Sequence, residues 1–256
     1  MRAVSPELVD AELELVGRLR SSNAAFLAQI GDVHVIYKPI SGERPLWDFP
    51  DGHLAYREVA SYLVSELLGW DVVPETWLRD GPHGPGMVQR WCEIDDDQCA
   101  VTIVGAGQVP EGWHRVFDGY DADDRPVMLI HEDSEPLRRM AVFDAIVNNA
   151  DRKGGHVLEM PGGHRYGIDH GLTFHDEPKL RTVLWGWAGE PLTAGERSDV
   201  ERLRDHLYAT GGGALTDYLD ERDLDALADR CDLLLDRGTL PLPWGDGWRQ
   251  IPWPPF

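Results

Sequence analysis

Lysine is nearly missing from this chain: of its 24 basic residues only Lys38, Lys153 and Lys179 are lysines, and the rest are arginines. Such an Arg bias is what a GC-rich genome imposes, so each surviving lysine invites a chemical reason, Lys179 the least. Cysteine is scarce too. Cys92, Cys99 and Cys231 are odd in number and widely spaced, which argues against a disulfide framework and for reduced thiols in a cytoplasmic protein. Apolar runs are short. None approaches the ~18 residues of a membrane-spanning helix, and Glu7, Asp10, Glu12 and Glu14 occupy the stretch where a secretory leader needs an apolar run. The expectation is a cytoplasmic protein with no stable membrane association. Positive charge is also in short supply: the formal net charge of -21 repels nucleic acid and anionic membranes at long range. Any polyanion must therefore be held locally, by a few placed cations.

What is present suffices for a large core. With 256 residues, 42% of them hydrophobic and ten of them Trp, the chain can build one large domain or two lobes that share a cleft. Ser5-Pro6-Glu7 followed by Leu8, Leu15 and Leu19 predicts an amphipathic helix over 5–20. Strands are predicted at 24–31 and 33–38, joined by Gly31-Asp32, with Lys38 at the end of the second. After a Pro/Gly/Asp-rich loop, apolar residues from Tyr56 to Leu68 mark a helix stopped by Gly69, with Glu58 beside its apolar stripe. Two more strands fall within 70–93, the second being Met87 to Trp91. The acidic stretch 93–135 reads as a connector and cap with short β-like runs at 100–104 and 126–130. Ser134 and Pro136 open a helix over 136–149. Further helices are expected near 194–209 and 215–236, and the tryptophans of the 241–256 tail are expected to dock on the domain.

The most informative stretch runs from Phe143 to Gly171. Asp151 follows an apolar helix, and Asp169 ends an apolar strand beyond a Gly-Gly turn, so a short hairpin can bring both carboxylates to one mouth without either entering the core. Phosphoryl transfer is built in this way, with one Asp handling the attacking hydroxyl and another holding the metal on the phosphates.

The order strand Lys, helix Glu, second sheet edge, helix, Asp loop, hairpin, Asp-x-Gly resembles the protein-kinase-like superfamily. It is most similar to the phosphatidylinositol 3-/4-kinase-like and HipA-type branches, in particular an actinobacterial family of such proteins, over roughly residues 21 to 190. The resemblance implies an α+β, two-lobe fold, with a β-rich N-lobe over 1–93 and a mostly helical C-lobe over 94–256. Lys38 in Tyr-Lys-Pro would hold nucleotide phosphates as a point charge and Glu58 would fix it. Ser22 and Asn23, in the Ser21-Ser22-Asn23 turn, would occupy the phosphate-covering loop, although no glycine fingerprint is there. The strand carrying Gln89 and Trp91 would lead into the hinge that receives adenine. Asp151-Arg152 resembles the phosphoinositide-kinase catalytic loop, and Asp169 in Ile-Asp-His-Gly resembles the metal-binding Asp of Asp-Phe-Gly.

One position departs from the pattern. Where the kinase loop has a metal-binding Asn, this chain has His156, whose imidazole favours Mn²⁺ over Mg²⁺ if it binds the ion, and which could instead accept a phosphate. Asn148 and Asn149 offer amide contacts or a helix cap. The activity implied is transfer of the γ-phosphoryl group of ATP, with Mg²⁺ or Mn²⁺, to a protein side chain or a soluble hydroxyl, and autophosphorylation is included in that range. Two other readings stay open: a nucleotide-binding pseudokinase or scaffold, and a metal-dependent hydrolase using Asp151, His156, Asp169 and His170.

Overall fold

The computed structural model describes residues 6–19, 23–44, 46, 47, 49, 53–243 and 250–256. Ser5, Ser21, Ser22, Trp244 and Trp248 lie outside the described residues. The N-terminal part is an antiparallel sheet in the order β1-β2-β3-β5-β4, formed by β1 (Glu14–Arg18), β2 (Phe26–Ile30), β3 (Val33–Pro39), β4 (Thr76–Gly81) and β5 (Gly84–Arg90). Among the described residues a short helix, α1 (Pro6–Asp10), precedes it. The helix expected over 5–20 is thus corrected: Glu12-Leu13-Glu14-Leu15 alternates with period two, and residues from Glu14 pair with Gln29 and its neighbours as an edge strand.

Strand β3 sets the orientation on which the site depends. Val35 and Tyr37 are buried on one face, in a cluster with Leu8, Ala28, Ile30, Trp77 and Val88. The alternation therefore turns Ile36 and Lys38 to the opposite face, and a one-residue slip in the pairing Lys38↔Met87 would send the lysine into that cluster. Helix α2 (Leu54–Leu68) is inserted between β3 and β4. Its N-cap residue His53 donates no side-chain cap; instead Glu43 accepts from the Leu54 and Ala55 amides at 3.2 and 2.9 Å. Gly69, left-handed at φ 70°, ends it.

The segment read as a connector is a second sheet, in the order β6-β8-β7: β6 (Val101–Gly105), β7 (Trp113–Tyr120) and β8 (Pro126–Glu132). The two β-like runs are its outer and central strands. Strand β7 escaped the sequence reading because Trp-His-Arg-Val-Phe-Asp-Gly-Tyr has no clean alternation and is only half-buried. Helix α3 (Glu135–Val147) starts at Ser134, whose hydroxyl accepts from the Leu137 amide, and ends at Asn148, left-handed at φ 54°. The hairpin β9 (Val157–Glu159) and β10 (Arg165–Gly167) follows. Helix α4 (Ala194–Thr210) opens with a capping box from Thr193 and Glu196, and α5 (Glu221–Arg237) is capped by Asp220, with a 3₁₀ turn rather than helix over 213–217.

One apolar cluster joins α2 to α3, α4 and α5 through Val59, Leu63, Phe143, Leu203 and Leu227. The fold is therefore α+β, β-rich in its N-terminal part and helical in its C-terminal part. No described helix is long and apolar enough to cross a membrane. Of the tail tryptophans expected to dock, Trp253 is among the described residues and is 78% exposed, while Gln250, Ile251 and Pro252 are buried.

Candidate active site

Lys38 is the centre of the arrangement. Its ammonium lies 2.7 Å from Glu58 Oε1 on α2 and 2.6 Å from Asp169 Oδ1 in the turn after β10. Burial works against the lysine's charge, but Asp169 and Glu58 more than offset it and hold its pKa above the ordinary value. Lys38, in turn, holds the Asp169 carboxyl well below the usual carboxylate range. Glu58 is 2% exposed, and its second oxygen accepts from the His170 amide at 2.9 Å. One carboxylate thus ties α2 to both the strand lysine and the Asp-His-Gly turn. Asp169 sits at φ 63°, a conformation that Asp tolerates better than most side chains.

Lys38, Glu58, Asp151 and Asp169 line a single cavity of about 330 Å³, with Asn23 and Arg44 at its wall as well. Asp151 is held by its backbone. Its amide donates to Asn149 Oδ1 at 3.0 Å, and the Asn149 amide nitrogen donates to Asp144 Oδ1 at 2.9 Å. Burial raises the Asp151 pKa, opposed by Lys153, whose ammonium is 3.3 Å from Oδ2.

Arg152 requires a correction. Its side chain and that of Asp144 are both fully buried, and Nε and Nη2 donate to the Asp144 carboxylate at 2.9 to 3.2 Å. Nη1 donates to the His156 and Ile168 carbonyls. Arg152 is therefore spent inside the protein and does not line the Lys38 cavity; it cross-links the Asp151 loop to α3 and to the segment before Asp169. Asp144 is the support that sequence reasoning missed, whereas Asn149 was expected to offer amide contacts and makes them to Asp144 and Asp151. The available signal was an Asp placed among Met140, Ala141, Phe143, Ile146 and Val147 on an otherwise apolar helix face.

His156 Nδ1 lies 2.8 Å from the Asp151 carbonyl oxygen, which can only accept, so the proton belongs on Nδ1. The Nε2 lone pair is then turned toward Asp169 Oδ2, 3.4 Å away. Burial pushes the imidazole pKa down to about 4 and keeps it neutral. Two electron-rich atoms facing each other in this way suit a cation. Among the described residues no group of three or more His, Cys, Asp or Glu side chains is arranged to hold a metal. The four-ligand hydrolase site fails for a local reason: His170 is fully buried, with Nε2 2.6 Å from Arg152 Nη2.

Other expected residues stand elsewhere. Ser22 lies outside the described residues. Asn23 Oδ1 accepts from the Arg44 amide at 3.0 Å. Gln89 is buried and donates to Thr76 Oγ1, and Trp91 lines a separate cavity with Tyr62, Met160 and Tyr166, so neither side chain joins the Lys38 cavity. Asn148 caps α3 and spends its amide on the 175–179 segment.

No protein-family model matches the chain. Protein Rv2133c of Mycobacterium tuberculosis (strain ATCC 25618 / H37Rv) is 47% identical over 263 residues, covering 97% of this chain and 94% of that protein. Among solved structures, the Helicobacter pylori proinflammatory kinase CtkA matches 91% of this chain and 94% of its own length, at 11% identity and a TM-score of 0.45, a likeness too loose to carry weight.

Proposed function

The chain belongs to the family of the Mycobacterium tuberculosis protein Rv2133c, and we propose that it is an ATP- and divalent-metal-dependent phosphotransferase acting on a protein side chain or a soluble hydroxyl. By its motifs it is a kinase of the phosphatidylinositol 3-/4-kinase-like or HipA-type branch, acting in the cytoplasm. The observation that carries this reading is the single ammonium of Lys38 bonded to two carboxylates, 20 and 131 positions away, in a cavity that also holds Asp151.

Each residue then has a task its environment suits. Lys38 is the compact cation for nucleotide phosphates, and Glu58 keeps it extended across the cleft. Asp151, with a pKa raised by burial, is a better proton acceptor for an attacking hydroxyl than a solvated Asp. His156 and Asp169 would hold the divalent ion, with phosphate oxygens and water completing its ligands. When bound, the ion supplies electrostatic stabilisation of charge on the transferred phosphoryl group. The buried Arg152–Asp144 pair keeps Asp151 where the acceptor must meet it.

ATP with Mg²⁺ or Mn²⁺ is expected to raise the melting temperature, and excess chelator to cancel the shift, because Asp169 and the phosphates otherwise repel each other. Lys38→Ala and Asp169→Asn should stay folded and lose phosphotransfer by ~10²-fold or more. His156→Asn should move metal preference from Mn²⁺ toward Mg²⁺. Near-normal ATP consumption by the Lys38 variant sinks the reading, and a metal-dependent shift in a wild type that releases no ADP would leave a nucleotide-binding pseudokinase in its place.

A further inference from the structure

The Lys38 cavity is acidic, yet it is meant to take a polyanion. Glu58, Asp151, Asp169 and Glu43 all line it, against two cations, Lys38 and Arg44. Lys38 is already shared between two carboxylates. Arg44 is not. Its exposed guanidinium makes no ion pair or hydrogen bond with a described residue, in a chain whose arginines are mostly paired. The neighbouring Glu43 does not neutralise it, because both Glu43 oxygens accept from the first amides of α2 and one also lies 3.4 Å from His53 Nδ1.

The loop bearing Arg44 is nevertheless fixed. The Arg44 amide donates to Asn23 Oδ1 at 3.0 Å, and the Ala24 amide donates to the Gly42 carbonyl at 3.3 Å, so the loop after β3 is pinned to the turn before β2. Because Asn23 uses its oxygen on Arg44, its amide nitrogen keeps both hydrogens, and that nitrogen has no partner among the described residues. A guanidinium and a side-chain amide, held to each other through one backbone bond, thus offer donors at one wall of the cavity.

We propose that Arg44, with the Asn23 amide, forms a subsite for the terminal phosphate of a nucleoside triphosphate. The assignment rests on the phosphotransferase reading. In that reading the transferred group must lie between Lys38 and Asp169 on one side and Asp151 on the other, and these three residues and Arg44 line the same cavity. The terminal phosphate carries the most negative charge of the three and is the group that most needs a second cation. A planar fork matches two of its oxygens at once.

The test compares binding of ADP and of a non-hydrolysable ATP analogue, each with Mn²⁺, by calorimetry on wild type, Arg44→Ala and Arg44→Lys. Wild type should prefer the analogue. Arg44→Ala should weaken the analogue about tenfold or more while leaving ADP unchanged, as expected for one charge-assisted pair, and Arg44→Lys should fall between. The melting temperature without nucleotide should be the same for all three proteins, since Arg44 is exposed. Unchanged analogue affinity in Arg44→Ala overturns the subsite, and an equal loss for ADP and analogue overturns its assignment to the terminal phosphate. If wild type binds neither nucleotide, the phosphotransferase reading itself fails, which is visible before any variant is made.

Discussion

Single side chains here do work that their sequence position hides. Glu58 is legible as the partner of a strand lysine, but its second bond, to the His170 amide, appears only once α2 lies against the Asp169 turn. His131 is a second case, away from the cavity. It is fully buried, with Nδ1 against the Glu132 carbonyl and Nε2 accepting from the Gly186 amide at 3.0 Å, so the neutral ring is satisfied on both sides. Burial pushes its pKa down to about 4 from 6.5. The unfolded chain takes up that proton first as pH falls, so the stability His131 contributes is present above about 6.5 and is lost on the way down to about 4. Chemical denaturation at pH 7 and pH 4.5 should show wild type losing about 2 kcal/mol more than His131→Gln between the two. Equal losses would remove this residue from the account of acid stability.

At the scale of elements, the Asp151 loop is rigid because α3 supplies a buried counter-ion to it. Arg152, Asn149 and Thr182 all converge on Asp144. The tail adds a second hold, since the Gly154 amide donates to the Pro255 carbonyl at 2.8 Å and the Phe256 ring fills the space a side chain at 154 would need. Arg152→Met should cost about 3 to 5 kcal/mol by leaving Asp144 charged, buried and unpaired, whereas Asp144→Leu with Arg152→Met should recover part of that loss. Urea melts of the single and double variants check this. A double variant no better than the single would mean that the pair's other hydrogen bonds, to His156, Ile168 and Asn149, dominate. Gly154→Ala in the same assay reports the tail contact separately.

Across the whole molecule, charge works against compactness. A net charge of -21 repels itself, while most exposed ion pairs, such as Arg139–Glu135, contribute at most about 1 kcal/mol each. Raising NaCl from ~10 to ~200 mM should therefore raise the melting temperature by a few degrees, because screening relieves more repulsion than it weakens attraction. A melting temperature that falls with salt would show that the surface pairs outweigh the net charge. The larger core that resists this repulsion runs from α2 to α5 and takes in Met87 of β5, while the other face of the N-terminal sheet has its own cluster around Val35, Tyr37 and Val88.

Local chemistry determined much of this protein from sequence alone. Ser134, Gly69 and the Gly31-Asp32 turn mark element ends because caps and tight turns are satisfied by neighbours within a few residues. The charge deficit, the scarce lysines and the order from Lys38 to Asp169 were likewise legible. Tertiary structure alone decided the rest. Strand β7 exists through its ladder partners rather than through its own periodicity, and pairing with β2 decided that the segment from Glu14 is a strand and not a helix. Arg152 became a buried cross-link, and Gln89 and Trp91 were turned away from the Lys38 cavity. Arg44 was left as the cavity cation with no side-chain partner among the described residues. Each of these outcomes depends on which distant side chains remove a group from water or leave it there, and neither spacing nor propensity along the chain encodes that.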